Sequence, residues 1–397
     1  MTPAPSPPSP SPARTVLLVL ALWGAGLGSA AQFAKVGVIF DRIALLYADA
    51  GVTAQGLLVS AVGFVGLVFG TTAGLLVARP GYRRVLVLAL AGGALLSAVQ
   101  AALPPLPLML ALRLLEGASH LAIVVAAPVL IAQLTPPRHQ GLAMTLWSTF
   151  FAVSFALTAW LGRPLAEAQG AGALFLAHAA CMAGFAGALW LLLPDDRPMP
   201  VPRPSLADLI RQHGQIYASP RIAAPAMGFV CYTLIFVALL TLLPPLVGAP
   251  HQALVAAAMP LTAIAASLTL GVWLLGRAGA VTVVIWGFAA SALAALALWL
   301  AWGQGPAMVA AALALAGALG LVQGASFAAI PQLNPGREDR ARAAGAVAQL
   351  GNVGTTSGTP LLATVVVHWG IAGVALFTIA LSLLGISLHL WQAARRA

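Results

Sequence analysis

Charge is almost absent from this chain, and long apolar runs fill the space between the few charges it has. Its 397 residues hold 19 lysines and arginines and 9 aspartates and glutamates, and 61% are hydrophobic. Soluble proteins carry about 25% charged and about 45–50% apolar residues. Such a chain cannot cover a globular surface with water-compatible side chains, which excludes a soluble enzyme, a disordered chain and a disulfide-stapled secreted domain. Cys181 and Cys231 lie inside apolar stretches and report neither a disulfide framework nor a metal site. The composition is that of a polytopic membrane protein.

A bilayer core takes about 20 mostly apolar residues per helix. Breaks at proline, glycine and charge clusters divide the chain into twelve such stretches: 16–38, 54–78, 85–103, 107–131, 141–162 and 170–193, then 222–246, 252–275, 281–302, 306–330, 343–367 and 370–391. The pattern predicts an all-α membrane protein of twelve transmembrane helices in two six-helix bundles, 16–193 and 222–392. Residues 1–15 read as a disordered Pro/Ser-rich tail and 393–397 as a short C-terminal tail. The polar, Pro-rich segment 194–221 joins the halves. Within it Ser205 and Asp208 have capping-box spacing, which predicts a short amphipathic helix on the inner membrane face.

Basic residues decide the orientation. With the N-terminus inside, fifteen arginines fall on inner segments, while outer loops hold Arg42 and Arg163. This bias predicts a multi-pass protein of the cell (inner) membrane with both termini cytoplasmic. The net charge of +10 is then mostly a topology signal, and no nucleic-acid partner is expected. Arg14, the apolar run from Val16 and Gly28-Ser29-Ala30 also resemble a cleavable secretory signal. Continuation of the run to Ile39 and the even number of spans favour a retained first helix.

The halves carry traces of duplication. The fourth span ends Gln133-Leu134-Thr135-Pro136-Pro137-Arg138 and the tenth ends Gln332-Leu333-Asn334-Pro335-Gly336-Arg337. Arg79-Pro80-Gly81 follows the second span where Arg277-Ala278-Gly279 follows the eighth. Duplicated bundles are how many secondary transporters place a site at the bilayer midplane. The segment from Gly74 to Arg84 (GLLVARPGYRR) is similar to the G-x-L-x-D-R-x-G-R-R/K-x signature of the major facilitator superfamily, and Arg113-Leu114-Leu115-Glu116-Gly117 looks like that family's R-x-x-x-G motif. The chain resembles this superfamily over essentially its whole length. The resemblance implies rocker-switch transport, with Gly74, Arg79, Gly81, Arg83 and Arg84 in a cytoplasmic gating loop. Ala78 stands where the signature has an aspartate, which puts the usual ion-pair latch in doubt, and Tyr82 stands where an arginine is common. The exporter pattern G-x-x-x-G-P is missing from the fifth span, which has only Gly162-Arg163-Pro164.

Ionisable groups at membrane depth are functional candidates because each costs several kcal/mol unless paired or hydrated. Arg113, Glu116 and His120 sit at i, i+3 and i+7, on one helix face. They are the expected proton-coupling and cavity residues, with Glu116 taking and releasing a proton as access alternates. The competing reading is a structural Arg113–Glu116 pair. Lys35, the only lysine, either attracts substrate or snorkels to outer headgroups. Its neighbours Ala34 and Val36 leave no G-K-[ST] phosphate loop, so ATP hydrolysis within this chain is excluded. The family's cavity-lining helices point to Gln32, Tyr232 and Gln323 as solute contacts, with Trp147 and Asn352 as further candidates, although each also suits interhelical packing.

These residues predict a monomeric secondary transporter of a small solute in the lipid bilayer, with no cofactor beyond a coupling proton at Glu116. A multidrug or metabolite efflux antiporter is the alternative within the class. From other classes, a polytopic enzyme would need a catalytic cluster, and the chain has no G-x-S-x-G or H-E-x-x-H. A non-transporting sensor would bind solute without flux.

Overall fold

The computed structural model describes residues 12–50, 52–78, 80–194 and 205–396. Arg79, most of the 1–15 tail and the first part of the 194–221 linker lie outside the described residues. Lipid offers backbone groups no hydrogen-bond partner, so a spanning segment must satisfy its own N–H and C=O groups. All regular structure among the described residues is accordingly helical. The first half contains α1 (Pro12–Gly37), the short α2 (Phe40–Leu46), α3 (Val52–Ala78), α4 (Tyr82–Gln100) and α5 (Leu106–Leu134). The next span is composite: α6 (Gln140–Ser148), α7 (Phe150–Leu157), a π-turn at Thr158–Gly162 and α8 (Arg163–Gln169). It is followed by α9 (Ala171–Leu192).

A helix within the linker, α10 (Leu206–Ala218), leads to α11 (Ala223–Val247), α12 (Ala249–Ala266), a π-turn at Ser267–Gly271 and α13 (Val272–Leu275). The chain ends with α14 (Ala280–Leu300), α15 (Pro306–Leu333) and α16 (Arg337–Ala394). Eleven helices among the described residues are long and apolar enough to cross a membrane, and the last of these runs through 57 residues. A straight helix of that length would extend about 86 Å at 1.5 Å per residue, far beyond a bilayer core of about 30 Å. Gly370, at φ 53° and ψ −135°, breaks it into two arms. Twelve spans result when the arms are counted separately. Large apolar side chains cover the outside, with Leu191 82%, Val367 80% and Trp160 74% exposed, a surface suited to lipid.

The two halves meet along two seams. On one, α3 runs along α16, and Gly63, Gly66 and Gly70 lie against Thr356, Asn352 and Gln349. A methyl group at any of the three glycines would collide with these side chains, so the close approach requires glycine there. Gln349 Nε2 also donates to the Leu67 carbonyl at 2.8 Å. On the other seam α6 and α7 meet α15 and α12, and Gln323 Nε2 donates to the Ser148 carbonyl.

Helix α10 touches both halves. Thr71 Oγ1 lies 3.0 Å from His213 Nδ1, and the Tyr217 hydroxyl donates to Gln349 Oε1 at 2.7 Å. The helix begins with a capping box: Asp208 N donates to Ser205 Oγ at 3.1 Å and Ser205 N donates to Asp208 Oδ2 at 3.0 Å. The Ser205 hydroxyl and backbone N–H hold the Asp208 carboxyl below its usual range. A carboxyl lowered in the folded state stabilises fully above its unfolded value near 4, and that contribution disappears as pH falls through the lower folded value. Ser205→Ala should cost the helix about 1 kcal/mol, read as roughly fivefold faster amide exchange over residues 206–209 at neutral pH, with the difference between wild type and variant shrinking in acid.

Candidate functional site

The charges at membrane depth gather at one end of the first bundle. α1 brings Lys35 on its last turn, α4 brings Ser97, α5 brings Arg113 and Glu116, and α9 brings His178. Lys35, Arg113, Glu116 and Ser97 are 0% exposed. Glu116 Oε1 accepts from Lys35 Nζ at 2.6 Å, and its Oε2 accepts from Arg113 Nη1 at 2.5 Å. Arg113 also donates to the carbonyls of Gln32 at 2.6 Å and Leu58 at 2.8 Å, which ties α5 to α1 and α3. Lys35 Nζ donates to Ser97 Oγ at 2.8 Å, lies 3.4 Å from His178 Nδ1 and faces the Phe175 ring at 4.8 Å. His178 Nε2 is 2.9 Å from the Gly28 carbonyl, which accepts only, so that nitrogen carries the hydrogen and Nδ1 is left as an acceptor, 2.8 Å from Ser97 Oγ and 3.4 Å from Lys35 Nζ.

Lys35 therefore does not snorkel. It points inward because Glu116 and Ser97 offer it partners, and an ammonium with such partners does not need headgroup water. His178 was not anticipated, although the rule that flagged Glu116 applies equally to a histidine inside the 170–193 span.

His120 departs from Arg113 and Glu116 although all three share a helix face. That face lies against α1, where Lys35 and Gln32 cover the acid and the arginine. At His120 the α1 partner is the small Ser29, whose hydroxyl lies 2.8 Å from Nδ1. The His120 ring reaches past it into a central cavity between the two halves.

This cavity has about 700 Å³ of empty space, including its mouth. The first half supplies Phe33, Trp147, Phe150 and Phe151, and the second supplies Phe229, Tyr232, Phe236 and Phe327. Trp147 stacks on Phe150 at 4.6 Å, and Tyr232 stacks on Phe236 and packs against Phe229, each at 5.2 Å. Phe33 meets His120 edge-on at 5.1 Å. Of the solute-contact candidates, Trp147, Tyr232, Gln323 and Asn352 line the cavity, whereas Gln32 and Lys35 do not; nor do Arg113 and Glu116. Gln32 turns to α5 instead, donating from Nε2 to Ser119 Oγ at 3.1 Å. The phenylalanines were not legible as cavity residues, because an apolar ring suits lipid equally well.

The loop between α3 and α4 is partly described. Gly74 lies within α3, and Gly81 takes φ 98°, a conformation that favours glycine. Arg83 donates to the Trp190 carbonyl at 2.6 Å and stacks on its ring at 4.6 Å, joining α4 to α9 of the same bundle, while Arg84 is exposed.

The sequence profile described as Major Facilitator Superfamily matches residues 18–277. The chain belongs to this superfamily. Its spans and cavity are accordingly those of a membrane transporter family. The fold matches the human organic anion transporter MFSD10 (TETRAN) with a TM-score of 0.76 at 19% identity, covering 96% of this chain and 100% of that one. It matches FucP in the outward conformation with a TM-score of 0.74 at 16% identity, covering 96% and 99%. The proton:xylose symporter XylE bound to 6-bromo-6-deoxy-D-glucose gives 0.75 at 14%, covering 96% of both chains. No curated protein sequence matches the chain significantly.

The charge centre makes an ordered prediction. Removing Glu116 leaves two buried cations without a counter-charge, which costs about 3–5 kcal/mol in comparable buried pairs. Removing Lys35 leaves a one-to-one Arg113–Glu116 pair. Glu116→Gln should therefore lower the detergent unfolding midpoint far more than Lys35→Met, and adding Lys35→Met to Glu116→Gln should recover part of the loss. Equal effects of the two single substitutions would contradict this arrangement.

Proposed function

We propose that this protein is a secondary active transporter that moves a small organic solute through the central cavity by alternating access, with proton exchange at the buried Lys35–Glu116–His178 centre. The single observation that carries the reading is the charge balance of that centre: two cations face one carboxylate, with a neutral-capable imidazole beside them. The Arg113–Glu116 pair is balanced, so the Lys35 proton is the one in excess. Its release from the centre would leave Lys35 a neutral amine and the centre uncharged without breaking that pair; transfer to His178 Nδ1, 3.4 Å away, is a first step that keeps the charge in the centre until the imidazolium gives the proton up. Proton exchange is thereby assigned to Lys35 with Glu116 as its counter-ion, in place of Glu116 acting alone. His120 offers the cavity-side imidazole, and Gly28 and Ser29, consecutive on α1, hold His178 and His120 respectively.

The glycine seam of α3 on α16 supports alternating closure, because smooth backbones part and meet without side chains to disentangle. Fold relatives named as sugar:proton symporters and as an organic anion transporter both concern small organic solutes. The arginine-rich connections favour an inner-membrane protein with cytoplasmic termini. A competing reading, favoured by the absence of Lys35 and Glu116 from the cavity lining, is a fixed clamp in a transporter driven by the solute gradient alone.

Proteoliposome flux over a solute panel, with and without an imposed pH gradient, separates the two. Proton coupling predicts gradient-driven accumulation in wild type, and Lys35→Met should abolish it while solute exchange at equal concentrations survives. Accumulation that ignores the gradient, or that persists in Lys35→Met, would favour the clamp.

A further inference from the structure

The central cavity carries information about the solute itself. It is lined by eight aromatic rings besides His120, and among the described residues no Asp, Glu, Lys or Arg lines it. A charged solute moved from water into such a site would lose its hydration and meet no counter-charge, which is strongly unfavourable. Glu116, on the same helix as His120, is already paired with both Arg113 and Lys35.

The polar lining groups are mostly committed. Thr233 Oγ1 donates to the Phe229 carbonyl at 3.0 Å, Thr355 Oγ1 to the Asn352 carbonyl at 3.2 Å, Asn352 Nδ2 to the Ala348 carbonyl at 2.7 Å and Gln323 Nε2 to the Ser148 carbonyl. A polyol, which needs donors and acceptors around its whole rim, would meet ring faces on most sides. Tyr232 is not committed. It is 2% exposed, lines the cavity between Phe229 and Phe236, and its hydroxyl has no partner in the protein. A buried hydroxyl without a partner is unfavourable, and a small turn of the ring toward an acceptor on a bound solute would remove that cost.

We infer that the cavity binds an uncharged, flat aromatic or heteroaromatic solute, stacked against the rings on the two halves and accepting a hydrogen bond from the Tyr232 hydroxyl. This rests on the transport reading for its purpose but not for its geometry. Rings stack in offset or edge-on arrangements on faces such as Trp147–Phe150 and Tyr232–Phe236. The oxygens of Gln323 and Asn352 remain as acceptors for a donor on the same solute.

The test uses ring systems matched except for charge. Saturable binding to the full chain in nanodiscs is measured for nicotinamide, benzamide and indole against nicotinate, 1-methylnicotinamide and D-xylose, with empty nanodiscs subtracted. At least one uncharged ring should bind saturably, and about tenfold more tightly than its charged analogue or xylose. Tyr232→Phe should weaken that binding about fivefold, as expected for one lost hydrogen bond, and Phe327→Leu should weaken it independently. Trp286→Phe, on the lipid-exposed surface, should leave it unchanged. Preferential binding of the anion, the cation or xylose overturns the inference, as does no saturable binding of any uncharged ring. Binding unaffected by both Tyr232→Phe and Phe327→Leu overturns it too. Counterflow of the bound ring in proteoliposomes separates the two proposals. Binding without flux would leave the ligand class standing and remove the transport reading, whereas flux of xylose or a charged ring would do the reverse.

Discussion

Removing an ion from water costs so much that a carboxylate at membrane depth must be surrounded before the helices around it can settle. Glu116 satisfies this with two cations on different helices, and the arginine among them extends to two backbone carbonyls. The result joins α1, α3, α4, α5 and α9 at one end of the first bundle through bonds of 2.5–2.9 Å. The alternative partners at that depth are lipid tails, so misplacing any one of these helices would strand a charge. Among the described residues the second half has no comparable buried ion pair, and its helices are held by close backbone approach, as where Gly354 and Gly358 lie on Thr233 and Leu234 of α11.

That asymmetry divides the labour of the molecule. The charge centre sits inside one half, and the solute-sized space lies between the halves. α1 and α5 are common to both: on α1, Lys35 and Gly28 belong to the centre while Phe33 lines the cavity, and on α5, Arg113 and Glu116 belong to the centre while His120, held by Ser29 of α1, lines the cavity. Lys35 thus shares its helix with Phe33, which lines the central cavity. The seams between the halves are made of glycine contacts and a few hydrogen bonds, with α10 bonded to each side.

The fold was legible almost throughout, because lipid enforces it. Apolar stretches of about 20 residues have few ways to satisfy their backbones, so the observed helices begin and end within a few residues of the stretches read from hydropathy. The differences are local. The fifth and eighth spans are broken by π-turns, and the last two join into one helical run bent at Gly370. Legibility of the site was uneven. Arg113 and Glu116 share a helix, so their pairing follows from a three-residue spacing. Lys35 is 81 residues from Glu116, and nothing local shows whether a lysine near a helix end turns outward to headgroups or inward to an acid.

The sequence by itself determined that this chain crosses a membrane many times as helices in two related halves, belongs with the major facilitators, and carries an acid–arginine pair on its fourth span. Those properties depend on composition, period and motif, which are local. Only the tertiary structure decided that Lys35 and His178 complete the pair's surroundings, that Gln32 turns away from the central cavity, and that rings from both halves enclose that cavity. Each of those depends on which helix faces which, and in a bilayer an apolar residue gains nearly as much from lipid as from a neighbouring helix, so hydropathy alone is silent on the choice.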